Sequence, residues 1–311
     1  MARKRSTLID VLQYLALRLF AMFVHMFRVH KSYRTARWMG ELAWRIDRRH
    51  RRIACGHLRR SFPDWPEERI ERVARKSMHN LLYLVVEVLF TPRLITPKTW
   101  RRHIRLHNMT ETLQLLIRQD AGLILLTGHF GNWEVVGYMM ATLGFPSVSV
   151  ARPLDNPYVN QYLLGVRERT GQHILQKKGA SESMSDVLAR RGTLAFIADQ
   201  DAGRKGMHVD FGGRTASTYR SIALLAARHS VPIVVGYARR LSDDFEFDVG
   251  IARVIHPAEW AGRDDELTWI TQQFTRELEG VVRSAPEQYL WVHRRWKSRP
   301  DGTRVAGDGV A

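Results

Sequence analysis

A histidine, two glycines and a glutamate stand together in the run G-H-F-G-N-W-E at residues 128–134. A neutral imidazole is the side chain best suited to taking a proton near neutral pH. A carboxylate on one ring nitrogen fixes the tautomer and frees the other nitrogen as a base. His129 and Glu134 therefore form the first candidate catalytic pair, able to deprotonate an alcohol that attacks a carbonyl. On an uninterrupted helix an offset of five residues turns two side chains about 140° apart. The pair meets only if His129 precedes a helix and Glu134 lies in its first turn. Amides at that helix start, around Gly131 and Asn132, are candidate donors to an oxyanion. Spacing alone does not separate this use from a structural one.

Other clusters compete or cooperate. Asp199-Gln200-Asp201, followed by Gly203 and Gly206, has the composition of a site loop. With His129 these carboxylates are also a conceivable divalent-metal set, but no second ordered cluster of ligands accompanies them. Arg152 opens R-P-L-D-N-P at residues 152–157 and suits a phosphate or carboxylate. Asp155 pairs with it or, with Asn156-Pro157, caps the next helix. Residues 289–297, Y-L-W-V-H-R-R-W-K, interleave aromatics and base; they suit a lipid interface or a packed terminal segment. The single cysteine, Cys55, forbids an intrachain disulfide and reads as a buried thiol in a reducing setting.

The elements that must position these residues follow from periodicity. From Gly122 onward, short apolar runs alternate with helical patterns. Strands are expected at 123–127, 146–151, 193–198 and 233–238, and an alternating, exposed strand at 245–255. Helices are expected at 134–143, 156–169, from Ser181 or Ser183 to before Gly192, at 219–228 and at 266–283. The fold class is α/β, a largely parallel central sheet flanked by helices, with a helical, basic N-terminal membrane-associating region. His129 and Asp199 both follow strands, at the carboxyl edge where such sheets hold their sites. The expected division is a hydrophobic helix at 1–30, a helical basic region at 31–118 with a break near Phe90, a core at 119–300 and a frayed tail at 301–311.

The charge is concentrated. The chain of 311 residues carries +17 at neutral pH, and residues 1–60 hold +12 of it. An apolar stretch at 8–27 lies between Arg3-Lys4-Arg5 and Arg28. Its length approaches that of a bilayer span, but Arg18 near its middle costs about 2.5–3.5 kcal/mol on the insertion scale. No small-residue cleavage site follows. The stretch therefore reads as a helix lying in, or partly inserted into, a cytoplasmic leaflet, with a full span as the alternative. The following arginines suit anionic headgroups better than nucleic acid, for which no recognition signature appears.

Taken together, these runs resemble the late acyltransferases of lipid A biosynthesis, within the broader lysophospholipid acyltransferase group. The likeness rests on residues 128–134, 152–157, A-D-Q-D at 198–201, V-D-F-G-G-R-T-A-S-T at 209–218, V-P-I-V at 231–234, and P-E-Q-Y-L-W-V-H-R-R-W-K at 286–297. A basic helix before a Phe-Pro turn, at 51–64, also matches. The usual Phe-Phe-Gly stands here as Phe211-Gly212-Gly213. The resemblance implies transfer of a fatty acyl chain from acyl carrier protein or acyl-CoA to a hydroxyl of an anionic lipid A precursor, without a cofactor or metal. It implies His129 as base with Glu134 as partner, Arg152 at the substrate or oxyanion, and Asp199 and Asp201 shaping the site. It also implies residence at the inner membrane with the site facing the cytoplasm. A phosphatidylinositol-mannoside acyltransferase shares much of the pattern. A non-catalytic anionic-membrane binding protein and a metal-dependent hydrolase are the competing classes.

Overall fold

The computed structural model describes residues 6–151, 154–168, 172–176 and 180–301. The chain opens with four helices: α1 (Thr7–His25), α2 (Val29–Ile46), α3 (Arg48–Ser61) and α4 (Glu67–Leu94). Asp47 separates α2 from α3, its carboxylate accepting from the His50 amide at 3.0 Å as a cap. The expected turn at Phe62-Pro63-Asp64-Trp65-Pro66 joins α3 to α4, with Phe62 stacked on Trp65 at 3.9 Å between centroids. The expected break near Phe90 does not occur. Helix α4 runs through Pro92 to Leu94, because a proline in the last turn removes only one late donor.

Beyond α4 come β1 (Ile104–His107), α5 (Thr110–Arg118), β2 (Leu123–Thr127), α6 (Trp133–Thr142), β3 (Val148–Ala151) and α7 (Pro157–Glu168). Then follow β4 (His173–Gln176), α8 (Ala180–Ala189), β5 (Thr193–Ile197), β6 (Met207–Asp210), β7 (Thr215–Thr218), α9 (Arg220–His229), β8 (Ile233–Arg240), β9 (Phe247–Ile255) and α10 (Glu266–Ser284). Among the described residues one sheet has seven strands in the order β1-β9-β8-β2-β5-β3-β4. All its pairings are parallel except β8 with β9. The α/β class with a largely parallel sheet is thus as expected.

Two strand expectations change. Strand β9 is largely buried rather than exposed, because it lies inside the sheet between β1 and β8 with α5 and α10 packed against it. Strand β1 comes from the stretch read as helical; four residues with one buried side chain leave no apolar run to recognise. Strands β6 and β7 form a separate hairpin. Its loop is Gly212-Gly213, both at positive φ (65° and 69°), the pairing that a two-residue hairpin turn demands.

The N-terminal helices are not a separate body. Ala21 and Val24 of α1, Tyr33 and Ala36 of α2 and Phe90 of α4 share one apolar cluster with Val135 and Met139 of α6 and Ala238 of β8. Helix α1 is held along its length. Near its start, Asn156 Nδ2 donates to the Asp10 carbonyl (2.9 Å) and to Gln13 Oε1 (3.0 Å). Near its end, His25 meets the Phe90 ring at 5.0 Å. Its opposite face presents Leu8, Leu12, Leu15, Leu19, Met22 and Phe23 to the exterior. Helix α2 does the same with Trp38, Leu42 and Ile46, while burying Tyr33, Ala36, Gly40 and Trp44. Cys55 is buried, as expected, and burial pushes its thiol up to about 11.

Candidate active site

Strand β2 ends at Thr127, and the chain turns through Gly128 to Gly131 before α6 begins at Trp133. Gly131 has φ +55°, and a Cβ there would lie 1.9 Å from the Ala238 carbonyl oxygen, so no other residue fits the turn. Asn132 caps α6, its side-chain oxygen accepting from the Val135 amide at 3.0 Å. This turn puts His129 before the helix, as the sequence predicts.

The carboxylate on the histidine is Asp199. His129 Nδ1 donates to Asp199 Oδ1 at 2.7 Å, and the His129 amide donates to Asp199 Oδ2 at 2.8 Å. Strands β2 and β5 are neighbours, so residues just past their carboxyl ends meet although seventy positions separate them. Glu134 is engaged elsewhere: Arg167 of α7 donates to it through Nε (2.8 Å) and Nη2 (2.5 Å). The expected His129–Glu134 hydrogen bond is therefore replaced by a His129–Asp199 one. Glu134 acts on the ring at longer range, as one of the charges that favour its protonation.

Burial disfavours the His129 cation, yet the adjacent Asp199 charge and hydrogen bond, with Glu134 adding, hold its pKa above the ordinary value. Burial also opposes ionisation of Asp199, but His129 brings that carboxyl down to about 2. The second ring nitrogen, Nε2, accepts from Gln200 Nε2 at 3.1 Å. Trp133 meets the ring edge-on at 4.8 Å and His293 lies 5.3 Å from it. Burial, then the charge of His129, lowers the His293 pKa.

The remaining expected residues divide. The Gly131 and Asn132 amides donate to the carbonyls of Gln288 and Ala238, each at 2.9 Å. They are thus taken up in fixing the turn, and the oxyanion role expected of them is not available. Asp201 accepts from the Ser298 amide (3.1 Å) and hydroxyl (3.0 Å), which ties down the C-terminal segment instead of facing the imidazole. Asp155 sits in the turn before α7, where Asn156 is the cap, accepting from the Tyr158 and Val159 amides. Arg152 lies outside the described residues.

Sequence reasoning missed what braces the turn from behind. Glu87 of α4 is fully buried and receives Arg240 Nε and Nη2, the Tyr33 hydroxyl (2.6 Å) and Asn132 Nδ2 (2.9 Å). Arg240 also reaches Asn80, which donates to the Gln288 carbonyl at 3.0 Å. A lone Glu inside L-L-Y-L-V-V-E-V-L-F, residues 81–90, was the available signal. The segment 286–297 folds over the same turn. The Leu290 amide donates to the His129 carbonyl at 3.0 Å, and buried Arg295 donates to the Gln200 and Ser217 carbonyls.

Between α6 and the sheet lies a narrow cavity of about 90 Å³. Thr127, Trp133, Glu134 and Arg167 line it near the histidine turn; Met140 and Met109 line it toward the far end of α6. Its walls are mostly apolar. An imidazole held in one tautomer, beside an apolar slot at the carboxyl edge of a parallel sheet, can take a proton from a hydroxyl next to an apolar chain.

Comparison with known proteins gives that chemistry its class. The family described as bacterial lipid A biosynthesis acyltransferase matches residues 2–298, and the chain belongs to that family. A lipid A biosynthesis acyltransferase of Haemophilus influenzae is 26% identical over 264 residues, covering 83% of this chain and 80% of the relative. A lipid A biosynthesis lauroyltransferase of Escherichia coli is 25% identical over 276 residues, covering 87% and 86%. A phosphatidylinositol mannoside acyltransferase of Mycolicibacterium smegmatis is 25% identical over 179 residues, covering 56% and 57%. The chain is an acyltransferase of lipid A or related glycolipid synthesis.

Proposed function

We propose that the protein transfers a fatty acyl chain from an acyl thioester to a hydroxyl of a lipid A precursor, with His129 as general base. The observation that carries this reading is the double grip of Asp199 on the His129 amide and Nδ1, which leaves Nε2 as the basic nitrogen. The acceptor hydroxyl displaces the Gln200 amide and gives its proton to Nε2 as its oxygen attacks the thioester carbonyl. The oxyanion collapses, the carbon–sulfur bond breaks, and the imidazolium returns the proton to the leaving thiolate. Asp199 stabilises the imidazolium between the two steps. The α6 cavity takes the acyl chain, and the Glu134–Arg167 pair fixes its mouth. The thioester comes from acyl carrier protein or coenzyme A; the basic N-terminal region favours the acidic carrier.

Helix α1 supports a place at the inner membrane, with the site on the cytoplasmic side. Among the described residues it is the one helix long and apolar enough to cross a bilayer. Its contacts with Asn156 near one end and Phe90 near the other favour a helix lying in the plane of the leaflet. The test is single-turnover transfer from acyl carrier protein to a lipid A precursor. His129→Ala is expected to lose roughly 10²–10⁴-fold while binding vesicles as before. A near-normal rate rules out His129 as the base. The mycobacterial relative supports a second acceptor class, mannosylated phosphatidylinositol. Preference for that lipid in the same assay would establish it.

A further inference from the structure

On the far side of α7 from the reaction cavity, α1, α4 and α7 enclose an open groove of about 1150 Å³. Three cationic or titratable side chains line it: Arg18 and His25 from α1 and Arg93 from α4. Three tyrosines join them: Tyr14, Tyr158 and Tyr162. No acidic residue is among its described lining residues. Arg18 is held by tyrosines rather than by a carboxylate: its Nη1 donates to the Tyr14 hydroxyl at 3.0 Å, and its guanidinium lies 5.8 Å and 5.6 Å from the Tyr14 and Tyr162 ring centres. Burial, and after it the neighbouring Arg93, lower the His25 pKa.

Arg18 was the one charge that fitted badly in the apolar N-terminal stretch. At 100° per residue it falls on the flank of α1, between the outward stripe of Leu8, Leu15, Leu19 and Met22 and the docked Ala21 and Val24. It turns into the groove, which the exposed Met22 and Met26 also line. Helix α7 joins the two sites. Tyr162 faces the groove, and Arg167, about 7.5 Å further along the axis, binds Glu134 at the cavity.

We propose that this groove seats the phosphorylated saccharide headgroup of the acyl-accepting lipid. Arg18 and Arg93 hold its phosphate, the three tyrosines pack its sugar, and its chains leave over Met22 and Met26 into the leaflet. This rests on the acyl-transfer reading for the identity of the lipid, because α7 carries the groove and the cavity together. The binding itself is measured without any turnover.

The test uses the full chain in neutral micelles doped with a bisphosphorylated, acylated glucosamine disaccharide, compared with phosphatidylglycerol and phosphatidylcholine micelles. Arg18→Gln and Arg93→Gln are each expected to weaken binding of the disaccharide lipid about tenfold, as loss of one charge-assisted hydrogen bond does. The double variant is expected to lose about a hundredfold, with phosphatidylglycerol and phosphatidylcholine partition unchanged. Wild-type affinity in the double variant overturns the site. An equal loss toward phosphatidylglycerol also overturns it, showing only a general anionic surface. Loss of disaccharide binding in the arginine variants, together with no transfer by the wild type to any hydroxyl acceptor, leaves the site standing and removes the proposed function.

Discussion

The turn around His129 and the outer face of α1 lie in one molecule under opposite constraints. At the turn, polar groups are matched within the protein: Asp199 takes the His129 amide and ring, Gln288 and Ala238 take the next amides, and Glu87 takes Asn132. On α1, large apolar side chains face outward along the helix and arginine is pushed to the flank. The first arrangement makes sense where geometry must hold through a reaction. The second is the mark of an interface, since an exposed apolar stripe of this length is rare on a free surface. The two regions share a core through Tyr33, Val24 and Val135, so the outward apolar face of α1 and the His129 turn are fixed relative to one another.

The comparison breaks most sharply at the histidine. His129→Ala should separate the regions, removing transfer and leaving vesicle partition intact. Asp199→Ala should approach the same loss of activity, and Glu134→Gln should fall well short of it if Asp199 is the orienting group. Equal losses at Asp199 and Glu134 in single-turnover rates would return Glu134 to the role that its spacing suggested.

Next in size is the brace behind the turn. Glu87→Ala leaves the Arg240 cation buried without its partner, and breaking such a pair costs about 3–5 kcal/mol. Urea denaturation should show that loss, with transfer falling too because Asn132 loses its anchor. A paired apolar replacement of Glu87 and Arg240 should recover stability without recovering activity. Recovery of both would reduce the network to packing.

A smaller effect belongs to α1. Leu15→Asp places a charge in the outward stripe, and losing one buried leucine on the membrane is worth about 1.5–3 kcal/mol. Vesicle binding should weaken by roughly ten- to a hundredfold, and the melting temperature in neutral detergent should stay put. A fall in melting temperature would show the stripe to be packed against protein.

These contrasts also explain what was legible in the sequence. His129 stood out because glycines flank it after an apolar strand, a local pattern. Its partner did not, because Asp199 meets it only through the β2–β5 pairing, and strand order is not written in any local period. Both residues were visible at strand ends; their adjacency was not. The contact expected of Glu134 was misplaced for the same reason, since Arg167 reaches it from another helix. The amphipathic split of α1 was hidden because nearly every position is apolar, so only the docked face decides which side is outside. Strand β1 and the buried character of β9 were lost together, because each depends on the other's presence.

The smallest predicted effect links the His129 turn to pH, where activity and stability should run in opposite directions. The folded-state pKa of His129 is raised, by Asp199 and Glu134 against the effect of burial. Its stabilisation is therefore fully present below the unfolded value of about 6.5 and is lost as pH rises through the higher folded value. Asp199 behaves conversely: brought down to about 2 by His129 against its own burial, it stabilises above its unfolded value of about 3.9 and loses that as pH falls toward 2. Between roughly pH 4 and 6.5 both contributions act, so this turn is most strongly held there. As the proposed base, however, His129 must be neutral to work, so kcat/KM should climb with pH and inflect above 6.5, the ordinary histidine value. In Asp199→Asn the adjacent charge is gone and burial is opposed by Glu134 alone, so the inflection should move to lower pH as the rate drops. Vesicle partition of α1, which holds none of these groups, should not follow that inflection. A pH–rate profile beside vesicle binding over the same range reads both regions at once, and coincident inflections would mean that the membrane face and the base titrate as one unit.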